Sequence, residues 1–272
     1  ALPLSHSFGL SVLINPAWCG GAKTVLLPRF EPEAVWHAMA EHGVTVFAGV
    51  PTMWQALLDH PFADTAEADE VARRWRVVLC GGTDVPEALI ARLRKRFGVE
   101  LHVGYGLSET TAVVSFDPPD RPHRPGSIGR PVWSVDVRVV DEQMRDVPLG
   151  ESGELVIRGH NVMRGYYRRP EANEEVFRGG WFHSGDLGRM DEDGYLYIVG
   201  RIKDMILRGG RNIYPREVEE ALLQHPDIAL AAVVGVPDER MGQEVKAFVV
   251  LQDGSALGAA DIRHWAKEHM AA

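Results

Sequence analysis

The sequence predicts an α/β fold: an open, mostly parallel sheet with helices, then an antiparallel β-barrel-like subdomain, then a small α+β C-terminal domain. Three observations predict it. Over residues 1–115 apolar helical patterns alternate with short apolar runs, the mark of a layered α/β sheet. Over 116–200 the apolar period drops to two, with glycine-rich turns between runs, as in antiparallel strands. After residues 201–203, which read as a hinge, 204–272 carries a helix pattern, two strand patterns and a last helix pattern.

The elements follow in order. Pro32–His42 reads as a helix, Val44–Phe47 as a strand, Thr52–Asp59 as a helix, Arg76–Cys80 as a strand, Pro86–Phe97 as a helix and Glu100–Val103 as a strand. Pro32 and Pro86 stand where a first-turn proline is tolerated, and Glu33 and Glu87 beside them complement the helix N-terminus. In the second part Val135, Val137 and Val139 alternate with Asp136 and Arg138, and Glu154–Arg158 and Tyr195–Val199 continue the strands. In the third, a helix headed by Pro215 places Val218, Ala221 and Leu222 on one face, followed by strands Ile228–Val236 and Glu244–Leu251. Ile262, Trp265, Ala266 and Met270 then recur at helical spacing. The chain opens on ALPLSHSFGL, without an initiator Met or signal-peptide pattern, and its final helix has no C-cap glycine. It is therefore expected to be the middle-to-late part of a longer protein.

Composition narrows the function classes. Of 272 residues, 45% are hydrophobic and 25% charged, which is the balance of a folded globular chain rather than a disordered one. No run approaches the roughly 18 apolar residues of a membrane span. Cys19 and Cys80 are too few for a disulfide framework, so they read as small buried hydrophobes in a reducing, cytoplasmic setting. A formal charge of −9 argues against nucleic acid as a partner. The Arg92–Arg96 cluster, at helical positions, reads as a solvated face.

Some motifs mislead. GGAKT at 20–24 lacks the glycine before lysine of a phosphate loop and reads as a strand edge. Gly104 and Gly106 begin a G-x-G, but Glu109 stands where a dinucleotide fingerprint has its third glycine. His160, His183 and Asp186 match no compact zinc spacing.

Three constellations carry chemistry. GYGLSETT (104–111) directly follows an apolar strand, at the carboxyl edge of the sheet, where α/β sheets bind ligands. There Gly104 and Gly106 allow close approach of a nucleotide, Tyr105 offers an aromatic face, Ser108 and Thr110 offer hydroxyls to phosphate, and Glu109 offers a carboxylate to a hard cation. WFHSGDLG (181–188) carries Asp186 in a turn, where it could accept both hydroxyls of a ribose. GRIKDMILRGGRNIYPREVE (200–219) concentrates positive charge: over 200–216 five basic residues stand against Asp204 alone, whereas 171–193 holds seven acids against two arginines. A basic joint in an acidic chain points to phosphates.

Together with GELVIRGHNVMRGYYRRPE (153–171), these segments resemble, in order and spacing, the core motifs of the adenylate-forming superfamily, which includes acyl-CoA synthetases, peptide-synthetase adenylation domains and firefly luciferase. The resemblance implies ATP-dependent formation of an acyl-AMP with release of pyrophosphate, then transfer to coenzyme A, with Mg²⁺ as cofactor. It implies that Gly81, Gly82 and Thr83 form the loop beside adenine, Tyr105 stacks on the base next to Gly106, Ser108 contacts phosphate and Glu109 binds Mg²⁺. Asp186 would hold the ribose, with Arg201 near the same sugar. Lys203 would be the hinge, and Arg208, Gly209 and Gly210 would flank the pantetheine tunnel. His6 resembles a residue beside the acyl carboxylate, and Val50, Met53, Trp54 and Gly104 would wall the acyl pocket.

Phe8-Gly9-Leu10 stands where adenylation domains place an aspartate for an amino group, so a fatty or other hydrophobic acid is expected ahead of an amino acid. In the resembled family a Ser/Thr/Gly-rich loop lies upstream of this region and a catalytic lysine lies downstream. Neither is among these residues, and the five lysines (23, 95, 203, 246, 267) do not match that motif. The chain alone is therefore expected to lack full adenylation activity. An enzyme that loads a carrier protein, and a catalytically incomplete nucleotide-binding fragment, stay open as alternatives.

Overall fold

The computed structural model of the chain describes residues 2–252 and 254–269. Met270, expected on the last helix, lies outside them. A π-helical segment, Phe8–Ile14, runs into α1 (Asn15–Cys19), and α2 follows at Pro32–His42. Then come β1 (Val46–Gly49), α3 (Pro51–Asp59), α4 (Ala66–Arg74), β2 (Val77–Gly81), α5 (Glu87–Phe97) and β3 (Leu101–Tyr105). β1, β2 and β3 are parallel neighbours. The short strands β4 (Ser115–Phe116) and β5 (Arg130–Pro131) extend this five-stranded sheet antiparallel from β3.

The core of this layer is aromatic. Trp36, Trp54 and Trp75 are buried with Leu57, Leu93 and Leu101, and Trp36 stacks on Phe62 at 5.4 Å while Trp54 meets Trp75 edge-on. The Trp54 indole donates to the Leu79 carbonyl at 2.9 Å, satisfying its one polar atom inside the core.

The second sheet is an antiparallel meander of β6 (Val135–Val140), β7 (Gly153–Gly159), β8 (Phe182–Met190) and β9 (Leu196–Arg201), with α6 (Pro170–Val176) between β7 and β8. It is open rather than barrel-like: among the described residues no pairing closes β9 onto β6, because four strands are too few to close at ordinary tilt. The third sheet has the order β11–β10–β13–β12, from β10 (Ile206–Arg208), β11 (Arg211–Ile213), β12 (Ile228–Asp238) and β13 (Gly242–Leu251). Against it pack α7 (Pro215–Leu223) and α8 (Ala259–His269), through a core of Ile206, Val218, Leu222, Ile228 and Val233.

Four local expectations change. GGAKT is a turn and irregular chain, not a strand edge. Pro86 is the N-cap residue of α5, outside the first turn, with extended ψ. Cys19 is exposed at the end of α1, although Cys80 is buried as expected and its thiol is pushed up to about 12 by burial. The basic charge over 200–216 already faces carboxylates: Arg201 pairs with Asp186, Arg208 with Glu244, and Arg216 with Asp84 and Glu220.

Candidate functional site

Two cavities meet at the C-terminal ends of β2 and β3. The larger, about 740 Å³, lies between this sheet edge and the third sheet with α7; its walls include Thr83, Asp84, Asp186, Lys203 and Arg216. The smaller, about 310 Å³, is lined by His6, Phe8, Val12, Ser108, Glu109 and Phe116, among others. Gly82, Gly104, Tyr105, Gly106 and Arg201 border both.

The glycines at this edge are dictated by close approach. Gly104 faces Gly81 across the β2–β3 register, and a Cβ on Gly104 would stand 2.6 Å from the Phe116 ring. One on Gly106 would stand 2.2 Å from the Ala112 carbonyl oxygen, because 107–112 folds back as a tight turn with Thr111 and Ala112 at positive φ. Asn161 clamps that turn, its amide donating to the carbonyls of Thr110 and Val113.

Asp186 sits in β8 opposite Arg201 of β9 and is only 2% exposed. Its Oδ2 accepts from the Tyr105 hydroxyl and its Oδ1 faces the Arg201 guanidinium at 2.9 Å. Burial raises the Asp186 pKa, with the bonds from Tyr105 and Arg201 acting against that shift. Burial, and then the Asp186 charge, raise Tyr105 well above its ordinary value, so the phenol remains a donor. Each carboxylate oxygen keeps a further lone pair for a ligand hydroxyl. The turn before Asp186 is held from β7: Glu154 accepts from the Gly185 amide at 3.1 Å and contacts His183 Nδ1 at 2.7 Å.

Glu109 is half-buried on the wall of the smaller cavity. Its Oε1 accepts from Tyr166 at 2.8 Å, and its Oε2 takes no hydrogen bond from a described residue. Burial, then the Glu109 partner, push Tyr166 up to about 12. No group of three or more His, Cys, Asp or Glu side chains that could hold a metal is present among the described residues, so Glu109 would be joined by at most one further such ligand. That donor set fits Mg²⁺, which keeps waters and takes one or two carboxylates plus substrate phosphates.

A third polar cluster was not foreseen from the sequence. His123 is buried between Asp117 (Nδ1 to Oδ2, 2.7 Å) and Glu87 (Nε2 to Oε1, 3.0 Å). Asp117 also accepts from the Val103 amide, and Glu87 from the Gly126 amide, so the triad ties β3, α5 and the 123–128 loop into one wall of the larger cavity. Glu87, read as a helix-terminus acid, also serves as a tertiary acceptor.

Of the other residues singled out, Thr83 and Lys203 line the larger cavity, and Gly81 and Ser108 the smaller, where Ser108 Oγ lies 3.5 Å from Ser7 Oγ. His6 lines the smaller cavity and accepts the Phe8 amide on Nδ1. Thr110 is fully buried with its hydroxyl bonded to Leu107, so it offers nothing to phosphate. Val50 lies behind Gly82, Met53 packs with Leu2, Ala48 and Leu79, and Trp54 is in the core. None of these three borders either cavity, whereas Gly104 borders both. Arg208, Gly209 and Gly210 form the β10–β11 turn and line neither cavity.

A site at a sheet's carboxyl edge with a second unit packed over it places the chain among the α/β proteins that bind ligands at that edge, and comparison with known proteins gives the family. Residues 1–167 match the AMP-binding enzyme family and 217–272 the AMP-binding enzyme C-terminal domain; the chain belongs to this family. It is 42% identical over 272 residues to a feruloyl-CoA synthase of an Amycolatopsis species, covering 100% of the chain and 54% of that protein. To a long-chain-fatty-acid–CoA ligase of Bacillus subtilis (strain 168) it is 37% identical over 271 residues, covering 99% and 48%. Among solved structures it superposes on ATP-bound MatB from Rhodopseudomonas palustris with a TM-score of 0.92 at 33% identity, covering 100% of this chain and 53% of that one. The chain thus spans about half the length of the curated relatives it matches.

Proposed function

We propose that the full-length protein activates a hydrophobic carboxylic acid with ATP, forming an acyl-adenylate and pyrophosphate, and passes the acyl group to the thiol of coenzyme A, releasing AMP. The observation that carries this reading is the Tyr105–Asp186–Arg201 cluster on the seam of two cavities, one of a size for a nucleotide and one with apolar walls from Phe8, Val12 and Phe116. The nucleoside would occupy the larger cavity, with its ribose hydroxyls on Asp186 and its base beside Thr83 and Tyr105. The acid would enter the smaller one, with its carboxylate near His6.

Bringing a carboxylate to a phosphate sets two anions together, so positioning and charge neutralisation carry the catalysis. Mg²⁺, held by Glu109 when present, supplies charge neutralisation at the phosphate oxygens. Arg201 and Lys203 add positive charge from the protein, and Ser108 a hydroxyl. The second half-reaction is assigned to a second orientation of the C-terminal unit, turned about Lys203 so that the Arg208–Gly210 turn reaches the tunnel for coenzyme A. Enzymes named for feruloyl-CoA, long-chain-fatty-acid–CoA and oxalate–CoA all stand among the relatives, so the assignment of a hydrophobic acid, aryl or fatty, rests on the apolar Phe8, Val12 and Phe116 walls of the smaller cavity; a cytosolic setting belongs to the same reading.

The test is calorimetric titration of the full-length protein with non-hydrolysable adenylate analogues of an aryl acid, a long-chain fatty acid and an amino acid. Tight binding of a hydrophobic analogue over the aminoacyl one is expected. Asp186→Ala is expected to lose about 1.5–3 kcal/mol, the worth of a hydrogen bond to a charged group. Equal binding of the aminoacyl analogue would overturn the substrate class, and an unaffected Asp186→Ala variant would remove the ribose assignment.

A further inference from the structure

We propose that Tyr166 is a positioning residue for Glu109, fixing which carboxylate oxygen is presented to the divalent cation that accompanies the nucleotide. This rests on the reading of Glu109 as the metal-binding carboxylate. Glu109 is attached to the 163–166 loop at two points. The Glu109 backbone carbonyl accepts from the Met163 amide at 2.7 Å, and the Glu109 side chain accepts from the Tyr166 hydroxyl at 2.8 Å. The 163–166 loop is thus joined to the 107–112 turn through both backbone and side chain, 57 residues apart in sequence.

The loop is itself held from the far side. Asn173, in α6, accepts the Tyr166 amide on Oδ1 at 2.6 Å and donates from Nδ2 to the Tyr166 carbonyl at 2.9 Å. This amide-to-amide pair is possible because Gly165, at φ +142, has no Cβ; one placed there would stand 2.9 Å from Asn173 Oδ1. The order of support is therefore Asn173, Tyr166, Glu109. A lone carboxylate on a surface turn has several rotamers, and only those that aim an oxygen into the cavity serve a cation. With Oε1 held by a fixed phenol, Oε2 is the oxygen with both of its lone pairs open to a cation. Restricting the rotamers lowers the entropy lost on metal binding.

The experiment measures ATP binding to the full-length protein as a function of free Mg²⁺ for wild type, Tyr166→Phe, Asn173→Ala, Glu109→Gln and the Tyr166→Phe/Glu109→Gln double variant. Thermal unfolding of each is followed with and without nucleotide. Phenylalanine keeps the ring and loses only the hydroxyl. The half-saturating Mg²⁺ concentration is expected to rise about 3–10-fold in Tyr166→Phe, in line with the net worth of one ordinary hydrogen bond. ATP affinity should be recovered at saturating Mg²⁺. Asn173→Ala should shift it in the same direction, and the double variant should be no worse than Glu109→Gln alone. An unchanged Mg²⁺ dependence in Tyr166→Phe, or effects that add in the double variant, would overturn the positioning role. An unchanged Mg²⁺ dependence in Glu109→Gln would instead overturn the metal assignment on which it rests.

Discussion

His123 stands between one fully buried carboxylate and one half-exposed one, and its charge state decides whether that wall of the larger cavity holds. Burial works against an imidazolium there, but hydrogen bonds to Asp117 and Glu87 outweigh it and raise its pKa. His102, whose own pKa is lowered chiefly by burial, lies close enough to Asp117 to feel its charge. A histidine with a raised folded-state pKa contributes stability that is complete below its unfolded value of about 6.5 and is lost as pH rises through the folded value. His123→Gln is therefore expected to lower the unfolding free energy by about 2 kcal/mol near pH 6, bonds to charged groups being worth about 1.5–3 kcal/mol each. The gap to wild type should shrink steadily above pH 6.5; a gap that is flat from pH 6 to 9 would mean His123 is neutral throughout. Nothing in the sequence joined these three residues. Glu87 and His123 are 36 positions apart, and only folding brings them together. Asp186 and Tyr105 stood out as candidate site residues because each lies in a local motif. Their mutual hydrogen bond did not, since it spans 81 positions.

At the scale of elements, local pattern carried furthest where one face is buried throughout. α2 and α7 begin where the prolines and the apolar spacing place them, because an N1 proline and a helical apolar stripe are local signals. The strands of the first sheet were legible in type, but their carboxyl ends were read short. β2 and β3 run on into Gly81 and Gly104–Tyr105, glycine-containing ends whose pairing depends on the neighbouring strand rather than on propensity. That extension has a consequence for the site. Gly104 and Tyr105 pair with Phe116 and Ser115 of β4, so Phe116 is pressed against Gly104 and also walls the smaller cavity. Gly104→Ala must displace the ring, at a cost of about 1–3 kcal/mol for overpacking. If that cavity receives the acid, the ratio of KM for a large hydrophobic acid to KM for a small one should rise about tenfold in this variant. A ratio unchanged from wild type would place the acyl group elsewhere. Trp54 belongs to the same lesson: an apolar residue near the edge could have lined a pocket, but its indole is committed to Leu79 inside the core.

At the scale of the whole molecule, the basic stretch over 200–216 was legible as a concentration of positive charge, whereas the partners of its charges were not, because they lie up to 132 positions away. Arg216 of α7 reaches across the larger cavity to Asp84 in the loop after β2, at 2.9 Å, and this ion pair bridges the two units that form the cavity. In this arrangement the Arg208–Gly210 turn lies off both cavities. On the proposed two-step reaction, coenzyme A would then be served by a different orientation, and the Asp84–Arg216 pair would hold the molecule away from it. Asp84 is well exposed, so the pair is worth about 0.2–1 kcal/mol, equivalent to roughly 1.5–5-fold in a conformational ratio. Asp84→Ala and Arg216→Ala should each raise the rate of thioester formation relative to adenylation by that factor. The double variant should go no further, since a shared contact can be lost only once. Raising salt from 0.05 to 0.5 M should move the wild type toward the variants by screening the pair. Additive effects of the two substitutions, or a ratio that moves the other way, would mean that another contact holds the units and that Arg216 acts only through Glu220 within α7.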